Sequence, residues 1–221
     1  MNLFVRLAHV FCIGTIFLSV NLNAGDLNST ATPTTSVQLS VKDQKIYDKS
    51  LNLINQFNGN GNQLEAAYNL LVDLAKRNPK SGYPYAALAD LKYRLAGLGD
   101  GSYLDAYTLA QKAIELDPNI ADAYVVVAKV MIEQQQFMAA KDAANKAIAL
   151  APNKPEAMFA MARTSEKWAQ ITLDELGPGS INDEPKHWYA ESERWYRKAI
   201  NTYKDNIRKS NIYYWLGNML S

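Results

Sequence analysis

Cysteine is all but absent: the 221 residues contain one, Cys12, and it falls in a segment unlike the rest of the chain. Beyond that segment no disulfide framework and no thiol chemistry is available. Histidine is nearly as rare, with two copies, His9 and His187. With one histidine past residue 24 and no nucleophile motif, acyl transfer by a Ser-His or Cys-His pair has little to stand on. An excess of one charge is missing too, since 23 basic residues face 22 acidic ones for a formal net charge of +1. No basic stripe suggests nucleic acid and no acidic tail suggests a buffer. Apolar residues are plentiful: 48% hydrophobic content beside 20% charged allows a sizeable core.

Long apolar runs are confined to the N-terminus. Arg6 is the only charged side chain before Asp26, and Leu7 to Val20 is nearly all apolar. The run closes on "NLNAG", where Ala24, with Leu22 two places before it, suits signal-peptidase cleavage. This pattern predicts a secretory signal over residues 1–24. A membrane anchor is the alternative, but a bilayer-spanning helix needs roughly 20 apolar residues. Cys12 follows His9, Val10 and Phe11, without the small residue that a lipoprotein signal places before its cysteine. Export is therefore expected, to the periplasm if the source is a Gram-negative bacterium. Residues 25–43, rich in Ser and Thr, read as a flexible linker. Asn28 heads an Asn-Ser-Thr triplet that would accept a glycan only in a eukaryotic secretory pathway.

From residue 44 onward the sequence repeats. Pro118 and Pro152 stand 34 apart, each closing a similar phrase, "AYTLAQKAIELDP" and "AKDAANKAIALAP". Ala106, Ala110 and Ala113 correspond to Ala140, Ala144 and Ala147. Upstream, Ala67, Leu71, Leu74 and Pro79 keep the same grid; downstream, Ser192, Tyr196 and Ala199 keep it without the proline. Each phrase follows a second kind of segment. Tyr85, Leu88 and Ala89 recur as Tyr124, Val127 and Ala128, as Met158, Met161 and Ala162, and as Tyr213, Leu216 and Gly217. Leu51 and Ile54 are a weaker first copy. These spacings put a large and a small residue on one helical face, so that two antiparallel helices close tightly. Proline then ends the second helix of each pair.

The pattern resembles the tetratricopeptide repeat family, whose signature is W-x2-L-G-x2-Y, then A-x3-F, then P. The resemblance covers about residues 45–221 and is best over 121–154, through Tyr124, Ala128, Ala140, Ala147 and Pro152. It implies an all-α, right-handed solenoid of about four helix pairs plus a terminal helix, over residues 44–221. It also implies a concave groove, lined by the first helix of each pair, that takes a protein or peptide partner. No cofactor is called for.

Two stretches break the period. "GLGDGSYLDA", from Gly97 to Ala106, looks like a phosphate or calcium loop. Yet Pro79 and Pro118 stand 39 apart, five more than 34, so the glycines are an insertion in a turn. Ser102 is the expected N-cap there, with Asp105 in the first helical turn. The second break, "WAQITLDELGPGSINDEPKHW", predicts an extended helix, a Gly-Pro-Gly turn and a new helix capped by Asp183 or Asn182, with Pro185 in its first turn. His187 lies three after Glu184 and four before Glu191, a set able to hold a divalent metal. The plainer reading is a solvated helix start. Trp168, Trp188 and Trp195 fall in or beside this insertion. They would form a sugar-binding or peptide-binding row if exposed, and otherwise pack the insertion on the repeats.

Residues facing the expected groove recur in columns. One is Asp90, Lys129 and Arg163. A second is Tyr93, Ile132 and Glu166, with Glu133 and Lys167 beside it. A third is Tyr83, Asp122 and Glu156. Lys129 and Arg163 would pair with an acidic side chain or chain terminus of a partner, or else with neighbouring Asp and Glu. Family members that bind chaperone C-termini use a clamp of lysines, asparagines and an arginine. Asn52, Gln56, Ala87, Asp122 and Val126 stand there instead, so that clamp is absent. Tyr85, Tyr124, Tyr196 and Tyr213 are expected in the core. Residues 207–220 have the pattern of a first helix with no partner helix after it. Either the sequence is truncated or this helix serves self-association or another protein. The leading reading is a non-catalytic, exported interaction scaffold of a cell-envelope assembly. A glycan- or peptidoglycan-associated binding protein and a metal-dependent enzyme at Glu184, His187 and Glu191 are the alternatives.

Overall fold

A computed structural model of the chain describes residues 37–220 except Asn58, Asn60, 178–182 and Asp205. The expected signal over 1–24, most of the linker with Asn28, and Asn182 lie outside the described residues. Nine helices, and no strand, occur among the described residues. They are α1 (Val41–Asn55), α2 (Gly61–Arg77), α3 (Gly82–Gly97), α4 (Tyr103–Leu116), α5 (Ala121–Glu133), α6 (Phe137–Leu150), α7 (Pro155–Leu176), α8 (Glu184–Thr202) and α9 (Asn206–Leu220). Consecutive helices pair as α1–α2, α3–α4, α5–α6 and α7–α8, with α9 against α8. The result is the expected helix-pair solenoid.

The repeat grid is the core. Ala67, Leu71 and Leu74 on α2, Ala106, Ala110 and Ala113 on α4, and Ala140, Ala144 and Ala147 on α6 are all fully buried, as are Ser192, Tyr196 and Ala199 on α8. The alanines and Ser192 among them are small enough to let facing backbones approach. In the last pair the Ser192 hydroxyl donates to the Ala162 carbonyl across the α7–α8 seam at 2.8 Å. Helices α2, α4 and α6 each stop two residues before Pro79, Pro118 or Pro152, where proline's missing N–H cannot continue the ladder. Within the first-helix row, α3 touches α5 and α5 touches α7, and second-helix neighbours make no contact of that extent among the described residues. The first helices thus form the tighter row in the middle of the array.

The glycine stretch is a turn. Gly99 and Gly101 take φ of +84° and +130°, a region that L side chains with a Cβ avoid. Ser102 caps α4 by accepting from the Leu104 amide at 3.1 Å, and Asp105 sits in the first turn. Helix α7 runs 22 residues, as the long insertion predicts, and stops at Gly177 with φ +73°.

Four expectations need correction. Helix α1 begins at Val41, inside the expected 25–43 linker, because Ser40 accepts from the Asp43 amide at 3.1 Å and caps it. Asp183 precedes α8 but its side chain makes no cap bond; Lys186 takes that carboxylate at 2.7 Å instead. Tyr85 is half-buried rather than core. Tyr213 is 57% exposed, because among the described residues no helix lies over α9 as α4, α6 and α8 lie over their partners.

Candidate functional site

The inner row is stitched by side-chain contacts between first helices: aromatic at the first seam, polar or cationic at the later ones. Between α1 and α3 the rings of Tyr47 and Tyr83 meet edge to face, 6.1 Å between centroids. Between α3 and α5, Lys129 donates to Asp90 at 2.7 Å and the Tyr93 hydroxyl donates to Glu133 at 2.9 Å. The Lys129 ammonium also lies over the Tyr93 ring at 5.3 Å. Between α5 and α7, Lys154 reaches Asp122 at 2.9 Å. Between α7 and α9, Arg208 donates to Glu156 at 2.9 Å, and the Arg163 guanidinium stacks 3.9 Å over the Trp215 ring.

Within the predicted columns Asp90 meets Lys129, Tyr93 meets Glu133 in the neighbouring position, and these charges are already engaged. Arg163 donates to Glu166 at 2.8 Å, and the Tyr196 hydroxyl donates to the same carboxylate. Lys129 and Arg163 do not form an open cationic pair; neighbouring Asp and Glu hold both. Ile132, in the second column, is buried. Lys167 bonds Gln170 on its own helix at 3.0 Å.

These pairs shape the local electrostatics. Burial by itself would raise the Asp90 carboxyl, but the charges of Lys129 and Arg94 outweigh it and hold the group below the usual carboxylate range. Burial, then Glu133, pushes the Tyr93 hydroxyl up. Burial disfavours the charged form of Lys154, and Asp122 more than restores it. At Asp90 the row thus carries a fixed ion pair, and at Tyr93 a phenol held neutral.

Several contributors escape sequence reasoning. Arg94 donates to Asp90 at 2.8 Å; its i,i+4 spacing on α3 was the available signal. Lys154 and Arg208 carry none, since their partners are set by how the repeats stack. Trp215 reads as one more apolar residue of α9, and only the fold places it beneath Arg163.

The tryptophans of the long insertion do not form an exposed row. Trp168 and Trp188 stack on each other at 4.2 Å and 13°, Phe137 flanks Trp168 at 6.2 Å, and the Lys141 ammonium covers Trp188 at 4.4 Å. All three aromatics are half-buried, and their ring faces are occupied by packing. The set of Glu184, His187 and Glu191 is dispersed. Glu191 pairs with Lys141 at 3.3 Å, Trp188 approaches Glu184 at 3.4 Å, and His187 lies against Trp188. Among the described residues, no three His, Cys, Asp or Glu side chains converge to hold a metal ion.

The sequence matches no protein-family model and no curated protein. It resembles solved structures of helical proteins at low identity. MamA 41-end from Desulfovibrio magneticus RS-1 is 18% identical over 82% of this chain and 85% of its own, with a TM-score of 0.46. Another MamA crystal structure is 16% identical over 80% of this chain and 90% of its own, with a TM-score of 0.45. The architecture of the present chain rests on its own helix pairs.

Proposed function

We propose that this chain is a non-catalytic interaction scaffold of the tetratricopeptide class, exported by residues 1–24. It holds an extended segment of a partner protein along the concave row of α1, α3, α5, α7 and α9, as part of a cell-envelope assembly. The observation that supports this reading is the ladder of inter-helix pairs. Asp90, Lys129, Asp122, Lys154, Glu156, Arg163 and Arg208 are each held by a partner, so an incoming peptide meets fixed donors and acceptors there and little side-chain entropy is lost on binding. Asp122, with 52% of its side chain exposed, and the Glu156–Arg208 pair, at 32% and 30%, keep polar atoms toward solvent. These offer a ligand backbone or side chain the most room.

The test exchanges the charges of one pair without breaking it. The Asp122→Lys, Lys154→Glu double variant keeps an ion pair across the α5–α7 seam but reverses the charges that a ligand meets. Residues 25–221, native and double variant, are used to capture partners from an envelope extract. A partner bound by the native chain and lost by the variant supports the groove. One held equally by both removes function from the row. Charge reversal at Lys129 or Arg163 is unsuitable, because a new carboxylate there would face Asp90 or Glu166.

A further inference from the structure

The glycine insertion between α3 and α4 is longer than the turn needs. The α5–α6 turn reverses the chain without it, through the same closure. There the Gln135 and Gln136 amides donate to the Ile132 and Met131 carbonyls, as those of Gly99 and Asp100 donate to Ala96 and Leu95. Leu98 and Gln134 are the matching C-caps, so this closure does not call for an apolar side chain. Three of the five extra residues lengthen the helix, since α3 runs 16 residues against 13 in α5. Leu98 therefore stands about 4.5 Å further along its helix axis than Gln134 does, and it is 61% exposed.

Two more apolar side chains share this edge. Leu104 and Met138 hold the same place, second in α4 and second in α6, and are 47% and 63% exposed. Glu65 holds that place in α2, so the repeat does not require an apolar residue there either. The edge is continuous. Tyr103 of α4 packs against Tyr93 of α3 with 5.4 Å between ring centroids, and the Tyr93 hydroxyl donates to Glu133 at the end of α5 at 2.9 Å. Met138 follows just past the α5–α6 turn.

Charge along the edge is of one sign. Asp100, Asp105 and Glu133 are exposed, and among the described residues no Lys or Arg pairs with them. The cations nearest in sequence turn elsewhere: Arg94 and Lys129 to Asp90, and Lys141 to Glu191. We propose that this edge, with Leu98, Leu104 and Met138 set among Asp100, Asp105 and Glu133, docks a basic amphipathic segment of a partner protein. The apolar side of the segment covers the three exposed side chains, and its lysines or arginines meet the three carboxylates. An anionic membrane would also cover apolar side chains, but it would bring negative headgroups against those carboxylates. The surface lies at the turn end of α3 to α6 and stands whether or not the first-helix row takes a ligand.

The probe is a fluorescein-labelled peptide of about 18 leucines and lysines set at helical period, titrated against the 221-residue chain. It binds the native chain. The Leu98→Gln, Met138→Gln double variant weakens binding at least about tenfold, while its thermal unfolding stays close to native because both side chains already face solvent. Asp100→Asn, Asp105→Asn weakens binding about fivefold in dilute salt and less than about twofold near 0.5 M salt, where exposed charges are screened. The Asp122→Lys, Lys154→Glu variant, altered at the other end of α5, binds the peptide as the native chain does. No binding by the native chain, binding indifferent to Leu98→Gln, Met138→Gln, or equal binding of a leucine–glutamate peptide overturns the proposal. Loss of binding in the Asp122→Lys, Lys154→Glu variant puts the peptide in the first-helix row and also overturns it. So does co-sedimentation with vesicles of phosphatidylcholine and phosphatidylglycerol that Leu98→Gln, Met138→Gln abolishes, because the occupant is then a membrane.

Discussion

Asp90 receives Lys129 from α5 at 2.7 Å and Arg94 from one turn along α3 at 2.8 Å. Its side chain is 24% exposed, so solvent screens the pairs only in part. Because its folded pKa lies below the unfolded value, its contribution to stability is fully present above the unfolded carboxylate pKa of about 3.9. It declines as the pH falls below that value toward the depressed folded pKa. Asp90→Asn should therefore cost about 2 kcal/mol near pH 7, leaving two cations without their shared carboxylate. The deficit should shrink as the pH falls from 5 to 3. Urea unfolding of both proteins across that range checks the sign, and a deficit that stays constant or grows would contradict the pairing. The same residue shows what sequence reasoning reaches. The Asp90–Lys129–Arg163 column follows from repeat spacing alone, but that Lys129 is occupied rather than available follows from the distance between α3 and α5.

At the scale of elements, the long insertion is held by aromatic packing. Helix α7 runs past the length of the other first helices, and Trp168 near its middle stacks on Trp188 of α8 at 4.2 Å and 13°. Two indoles this close and nearly parallel should couple electronically. The near-UV circular dichroism of the native chain is expected to carry a signed tryptophan couplet that either Trp168→Phe or Trp188→Phe removes. A double-mutant cycle on the two positions should give a coupling of about 1 kcal/mol. Additive losses would mean that the rings do not meet in solution. The extension of α7, its glycine stop and Pro185 in the first turn of α8 were legible in the sequence. The stacking was not, because the two rings stand 20 residues apart and only the antiparallel return of α8 brings them together.

For the whole molecule, stability should be graded along the solenoid, because each helix pair contacts only its neighbours. Helix α5 has neighbours on both sides and buries ten of its 13 residues. Helix α9 packs on one side and exposes Tyr213, Tyr214 and Leu220. Native-state hydrogen exchange should therefore find the strongest protection in α5 and α6 and a decline toward α9. Uniform protection from α1 to α9 would show that the array opens only as a unit.

The repeat period, the helix pairs, the proline stops and the glycine turn at residues 97–102 are determined by the sequence itself. They depend on local rules: apolar spacing at helical period, proline's missing amide, and glycine's access to positive φ. The alanine grid predicts its own burial, since only small residues let two helices approach this closely. Tertiary structure decides the rest. It pairs Lys129 with Asp90 and Arg163 with Glu166 and Trp215, folds the tryptophans onto each other, and separates Glu184, His187 and Glu191 into different contacts. It also leaves Tyr213 exposed, although the same pattern is buried in α5. The physical reason is the same each time. A residue's chemistry is fixed by its type, but its partner is fixed by which helix lies over it, and that depends on how the repeats stack.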